Sequence, residues 1–503
     1  MDRRLALLIA LGLTSVTGCA SSSPSAKIDE AAKLVEQRTG HAPEWIAPWD
    51  AAPPAWDSRS VLTCDQAVVM ALRNNRELRA DLALIGQANA DLVQAGLMQN
   101  PVINLMAMFP SGGGRAMLRS LGLPMQPIQD LWLIPVRKKV AQAALQQTVL
   151  RAADRAVETA ANVKKVYARL QYSQRALELI HENMNVVEQS TGIIRVRQTA
   201  GQATQVDVNL FRIRYLRLKS ELVQMEAEYH SAQRELLMLM GLAAAGDAWK
   251  VEPVSETKDP LEPPEDESQL LVVAAEQRLD LKAAEWQAES AASNIQLMTR
   301  EALWFPGLAL GLGVERSPAP RSNNPKLLGQ AGNIAARGLT DRLTGMQSPI
   351  MLPAAFSPTA REAEWTVGPM LEMKLPIFDQ GQGKIGRALY EYRQRIAEYE
   401  AKCQDVTRMV RDSAVMYRQA YDQVRFYREA IMPEVERNLQ LAQQSYVAGQ
   451  EDLTIFLNVQ EDLILTRLKI LEYFRDSQLR RAELERQAGG ALVLPAPATQ
   501  PGS

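Results

Sequence analysis

Residues that usually carry chemistry are scarce in this chain. Its 503 residues include three histidines and three cysteines. His41, His181 and His230 are scattered, as are Cys19, Cys64 and Cys403, so no metal-ligand spacing exists. No Ser/His/Asp order, His–carboxylate cluster or glycine-rich phosphate loop is present. Gly381-Gln382-Gly383 alone is a weak match to any nucleotide motif. These gaps argue against an enzyme. A formal net charge of −2 leaves no electrostatic footprint for nucleic acid. Beyond the N-terminus there is no run of about 20 apolar residues, so no spanning helix is legible. Proline is missing between Val136 and Val251, which permits helices of unusual length.

What is present begins with a targeting segment. Arg3-Arg4 supply a positive start, and Leu5 to Leu13 an apolar run too short to span. Val16-Thr17-Gly18-Cys19 resembles the bacterial lipobox, cut before a cysteine that becomes lipidated. Residues 1–18 therefore read as a signal peptide and Cys19 as the lipid attachment point; no other cofactor is expected. Ala20 follows the cysteine, which by resemblance to such lipoproteins permits delivery to an outer membrane. Residues 19–61 read as tether and connector, with Ser21 to Pro24 flexible. The tryptophans Trp45, Trp49 and Trp56 serve as packing anchors.

The remainder says nearly the same thing twice. Asn75-Arg76-Glu77-Leu78 answers Arg278-Leu279-Asp280-Leu281 at an offset of 203, and Gln99-Asn100-Pro101 answers Trp304-Phe305-Pro306 at 205. Ala200-Gly201-Gln202 answers Ala448-Gly449-Gln450 at 248. The copies span 62–250 and 268–487, with a linker at 251–267 and a disordered tail at 488–503. Thr63 caps the first short helix, whose counterpart opens near Ser268.

Strands are expected at about 101–109 and 129–136 in the first copy, and at 306–315 and 364–375 in the second. Leu308, Leu310, Leu312 and Val314 alternate with Ala309, Gly311, Gly313 and Glu315. Large apolar residues on one face and small or polar ones on the other suit a membrane strand lining a wet lumen. A half-buried soluble sheet has the same period. Matching Pro135 to Pro376 gives an offset of 241, hence 36 extra residues in the second copy, within 316–362 and with a short helix near 325–339.

Long helices supply most of the mass. Ile431, Val435, Leu439, Ala442 and Tyr446 keep coiled-coil spacing, continued on the return arm by Leu453, Leu457, Ile464, Leu468 and Leu471. Gly201 and Gly449 are the natural turns of two antiparallel helical hairpins. Pro433 should end or kink its helix. If the strands lie in lipid, the sheet must close. Four strands fall short of the smallest usual barrels, so several chains must share one.

Taken together, these residues resemble the outer-membrane efflux proteins of the TolC type, in their lipoprotein subgroup. The likeness runs from Leu62 to Glu485. It rests on the Leu62-Thr63…Ala67…Ala71-Leu72…Asn75 helix, its Arg278-Leu279-Asp280-Leu281 echo, Leu375-Pro376-Ile377-Phe378-Asp379…Gly381, and Tyr446…Gly449…Leu457…Gln460. The resemblance implies a mainly α fold with membrane β: long antiparallel coiled-coil helices and four strands per protomer, joined as a homotrimer around a 12-stranded barrel. It also implies the exit duct of a tripartite efflux system, passing small molecules. The partners would be a periplasmic adaptor and an inner-membrane, proton-driven transporter, with no chemistry in this subunit.

In that family the hairpin tips close the duct. Here the first turn keeps an acid at Asp207 and the second a tyrosine at Tyr446, while the family's tip aspartates would fall at Ile455 and Asn458 and its latch arginine at Glu451. The expectation is an Asp207–Tyr446 hydrogen bond without the salt bridge. The constriction would be formed by Glu451, Asp452 and Ile455 and be less cation-selective than an aspartate ring. Glu451 and Asp452 also read as a solvated, acidic helix start. Met98, Met106, Met108, Met117 and Met125, with Met346, Met351, Met370 and Met373, leave an exit duct for copper or silver ions as one alternative. Gap-filling is the commoner use of methionine. The other alternative is a periplasmic coiled-coil lipoprotein acting as a structural or adaptor protein.

Overall fold

The computed structural model describes residues 23–45, 61–108, 117–242, 246, 249–254, 260–264, 266–317, 364–448, 450–451 and 453–492. Cys19, Trp49, Trp56, the 325–339 segment, Gly449 and Asp452 lie outside them.

The elements run α1 (Ser25–Thr39), α2 (Cys64–Asn74), α3 (Arg76–Ala95), β1 (Val102–Met108), β2 (Met117–Pro127), α4 (Asp130–Thr199) and α5 (Gln205–Leu239). The second copy continues with α6 (Glu267–Gln277), α7 (Leu279–Leu303), β3 (Ala309–Ser317), β4 (Glu364–Glu372) and α8 (Gln382–Phe426). A π-helical turn (Tyr427–Ile431), α9 (Met432–Val447) and α10 (Leu453–Ala488) complete it. Two compact units result, one of Met1–Ala90, Ala144–Ala288 and Arg395–Ser503, the other of Asp91–Ala143 and Glu289–Gln394.

Three expectations are corrected. Residues 130–136, expected with Gln129 as a strand, open α4 instead, and Pro135 sits inside that helix. The second strand is β2, ending at Pro127. Pro127-Ile128-Gln129-Asp130 is the true counterpart of Pro376-Ile377-Phe378-Asp379, at an offset of 249, and the extra length in the second copy becomes 44. The tail is packed at its start: Ala488 is buried and Ala491 N–H donates to Arg38 O at 2.7 Å. The tether contains a 15-residue helix, α1, with Ile28, Ala31 and Val35 buried.

In the second unit the four strands form one antiparallel sheet in the order β1-β2-β3-β4. The register pairs Leu310 with Leu371, Leu312 with Pro369 and Val314 with Val367 on one face; Gly311 with Met370 and Gly313 with Gly368 occupy the other. Leu310, Leu312, Val367 and Leu371 are exposed, a large apolar face open to its surroundings. β3 begins at Ala309 and not at Pro306 because Phe305-Pro306-Gly307-Leu308 makes a turn first, with Leu308 N–H donating to Phe305 O at 3.1 Å and Gly307 at φ +68°. β4 ends at Glu372, short of the expected 375.

In the first unit the duplication is physical. The Asn75 amide donates to Leu239 O at 3.0 Å, and the Arg278 guanidinium donates to Gln487 O at 3.0 Å. In each copy the corner between the two short helices thus caps the end of the return helix. Gly241 (φ +69°) and Gly489 (φ +92°) press against those corners; a Cβ on Gly241 would meet Asn74 O at 2.5 Å, and one on Gly489 the Arg278 nitrogen at 2.9 Å. Tyr167 donates to Leu62 O at 2.8 Å, and Tyr417 to Leu261 O. Burial raises both phenols, that of Tyr417 to about 12. Each hydroxyl therefore stays protonated and donates.

Buried α4 residues Ala176, Ile180, Asn183, Val187, Ser190 and Ile194 recur at alternating four- and three-residue spacings, a coiled-coil seam. Val208, Phe211 and Leu218 of α5 and Leu457 of α10 pack against its lower half. The π-helical turn ends two residues before Pro433, where the helical ladder loses a donor.

Candidate functional site at the hairpin tips

At the first tip α4 ends in a Schellman motif. Gln202 N–H donates to Arg197 O at 2.8 Å and Gly201 N–H to Gln198 O at 2.9 Å, with Gly201 at φ +75°. Thr204 then opens α5 with a capping box. Asp207 Oδ2 accepts from Thr204 N–H at 2.8 Å and from its hydroxyl at 2.7 Å, while Asp207 N–H donates to Thr204 Oγ1 at 3.2 Å. The acid singled out at this turn thus builds the turn itself.

The second tip shares one bond of that motif among the described residues. Gln450 N–H donates to Ser445 O at 2.9 Å, the six-to-one bond that Gln202 makes in the first copy. Tyr446 stacks on Phe456, with ring centroids 5.7 Å apart and planes at 14°. Glu451 and Ile455 are exposed. The contacts shown for Asp207 and Tyr446 therefore run to Thr204 and Phe456.

Asn458 has a different partner. Arg214 of α5 donates through Nη2 to Asn458 Oδ1 at 2.6 Å and pairs through Nη1 with Glu461 Oε2 at 3.3 Å. Its guanidinium carbon also lies 5.3 Å from the centroid of the Phe211 ring. Asn458 and Glu461 are three apart on α10, hence on one face. One side chain so ties the return helix of the first hairpin to that of the second. Arg214 escaped notice in the sequence because the repeat does not mark it: at the offset of 248 it matches Asp462. The only signal was a neutral acceptor, Asn458, and an acid, Glu461, at helical spacing, a set that an arginine can serve. Cys64 and Cys403 are both free thiols, and burial raises Cys64 to about 11, leaving it unreactive at neutral pH.

No helix of the described residues is long and apolar enough to cross a membrane, and no cluster of His, Cys, Asp or Glu among them could hold a metal. The family model for outer membrane efflux proteins matches residues 67–242 and 270–490. Outer membrane protein OprJ of Pseudomonas aeruginosa is 27% identical over 443 residues, covering 84% of this chain and 83% of its own. The crystal structure of CusC matches with a TM-score of 0.64 at 18% identity, over 89% of this chain and 99% of that one. The open-state MtrE outer membrane channel of Neisseria gonorrhoeae matches with a TM-score of 0.63 at 15% identity, over 85% and 89%. The two matched segments coincide with the two copies, so the paired hairpins and four strands find their explanation in one lineage: this chain belongs to the outer membrane efflux protein family and is an outer-membrane efflux channel, not an enzyme.

Proposed function

We propose that three copies of the chain share a 12-stranded barrel and form the exit duct of a tripartite efflux system. The single observation that carries this reading is a four-stranded sheet with an exposed apolar face and two edge strands, β1 and β4. Lipid offers no hydrogen-bond partners to such edges, so β4 of one copy pairs with β1 of the next. Two copies would give about eight strands around a filled interior; three leave room for a channel. The helical hairpins extend the duct toward a periplasmic adaptor and a proton-driven inner-membrane transporter, which supplies the energy.

The tips form the gate. Glu451, Asp452 and Ile455 line the constriction, the turns at Gly201 and Gly449 carry it, and Asp207 and Tyr446 hold it in shape. Arg214, bonded to Asn458 and Glu461, ties the two return helices together. The lipid on Cys19 supplements the barrel as an anchor.

Cysteine pairs across the proposed seam test the assembly. Val102 and Glu372 are exposed and stand at the same end of their strands. A panel pairing cysteine at Val102 with cysteine at Met370, Leu371 or Glu372 should give an oxidation ladder that ends at the trimer. Ladders ending at the dimer, or monomers in every pairing, overturn the proposal.

A further inference from the structure

The corner before β3 is built unlike its counterpart in the first copy. There, Gln99 N–H donates to Asp130 at 2.6 Å and Gln99 O accepts from the Gln126 amide at 2.9 Å, so the corner is polar and satisfied within the protein. In the second copy the same place holds Trp304 and Phe305, 55% and 57% exposed. Phe305 adopts φ +47°, a left-handed conformation that is strained for a bulky residue. The strain is locked in by the Pro306–Gly307 turn, by Gly307 N–H donating to Gln129 Oε1 at 2.8 Å and by Lys374 N–H donating to Pro306 O at 2.9 Å. Edge contact with Trp132, 6.3 Å between centroids, leaves much of the Phe305 ring uncovered. In water a strained backbone that presents an aromatic ring gains nothing; at a lipid interface it gains apolar burial.

A cation stands at each end of the corner. The Arg300 guanidinium carbon lies 5.7 Å from the Trp304 ring centroid, and the Lys374 stem lies across Gly307, its Cγ 3.2 Å from where a Cβ would be. The corner joins α7 to β3, so it is at the helix-bearing end of the sheet, away from the insertion between β3 and β4. β3 is also an inner strand, flanked by β2 and β4. Copies that join at the edges β1 and β4 close the barrel without pairing to β3.

We infer that Trp304–Gly307, with Arg300 and Lys374, is a seat for an anionic phospholipid of the periplasmic leaflet. The two rings enter the boundary between headgroups and acyl chains, and the cations hold the phosphate. The inference rests on the reading of the sheet as the membrane-spanning part.

Full-length protein in vesicles of phosphatidylethanolamine and phosphatidylglycerol tests it. The lipids carry bromine near the headgroup or deep in the acyl chain. The expected result is stronger tryptophan quenching by shallow than by deep bromine, with the difference reduced in Trp304→Phe. In Arg300→Gln and Lys374→Gln, phosphatidylglycerol retained by the detergent-purified protein falls about fivefold per cation removed, while insertion and oligomer size stay as in the parent. Quenching of Trp304 by aqueous acrylamide alone, protection of Trp304 only on oligomer assembly, or equal lipid retention in parent and variants would overturn the seat alone. A chain that never inserts overturns the membrane reading and the seat with it.

Discussion

The guanidinium of Arg214 reaches from one hairpin to the other and is satisfied on three sides, by Asn458, Glu461 and the Phe211 ring. Both members of the ion pair are about a quarter exposed, which places the pair between a surface bridge and a buried one. If the proposed gate rests closed, losing the pair should cost about 1–2 kcal/mol of that arrangement. Arg214→Gln should therefore raise resting conductance in planar bilayers several-fold. Arg214→Lys should recover only part of the loss, because an ammonium cannot serve Asn458 and Glu461 as a planar fork does. Conductance equal to the parent in both variants would remove the latch.

Asp280 is a residue of a different kind. Burial acts to raise its pKa, but the hydrogen bond and charge of Arg278, followed by those of Lys402, together outweigh burial and hold the carboxyl well below the usual range. A depressed folded-state pKa means stability that is present above the unfolded value and lost as pH falls through the folded one. Asp280→Asn should cost about 3 kcal/mol at pH 7, since it strips a buried guanidinium of its partner. The gap in helical melting temperature between parent and variant should hold from pH 7 to about 5 and close progressively below about pH 4. Melting curves that stay parallel down to pH 3 would show that the carboxylate does not carry this term.

Glycine decides how the return helices end. Gly241 and Gly489 each adopt a positive φ, and each lies where a methyl group would strike the backbone of the preceding corner. Gly241→Ala combines left-handed strain with an unavoidable clash at Asn74 O, and should destabilise the first unit by about 2–3 kcal/mol. Gly201→Ala is the control: its φ is also positive, but nothing lies within 4 Å of the added carbon, so about 1 kcal/mol is expected. Equal losses in chemical denaturation would mean that the corner contact contributes nothing.

The legibility of these elements in the sequence follows from the same physics. The proline-free stretch from Val136 to Val251, the glycine turns and the Thr63 cap are local signals and stood out. The alternation of Leu308 to Val314 revealed β3 because glycine and alanine occupy the other face. β2 was misplaced because Leu131 to Val136 is an apolar run without a period, and because Pro135, matched to Pro376 as the repeat marker, in fact falls in the second turn of α4. The paired Pro-Ile-x-Asp at 127–130 and 376–379 held the correct register. Residues of the Arg214 clamp were illegible for another reason: they join two hairpins 244 positions apart, and nothing local announces such a contact.

For the whole molecule the question is what keeps it in the membrane. Pro24 lies 3.8 Å from where a Cβ on Gly86 would sit, so the tether is docked on α3 five residues after Cys19. Five residues reach about 18 Å at most, which holds the middle of α3 that close to the lipid surface if Cys19 is acylated. An acyl chain alone gives modest, reversible binding, whereas a closed barrel buries an apolar band on every strand. The barrel should therefore dominate. Replacing residues 1–19 by a cleavable signal peptide without a lipobox should abolish palmitate labelling yet leave the protein in the carbonate-resistant membrane fraction, still an oligomer whose gel mobility shifts on heating. If that form is a soluble monomer in detergent-free buffer, the lipid was the anchor, and the exposed leucines of β3 and β4 face something other than a bilayer.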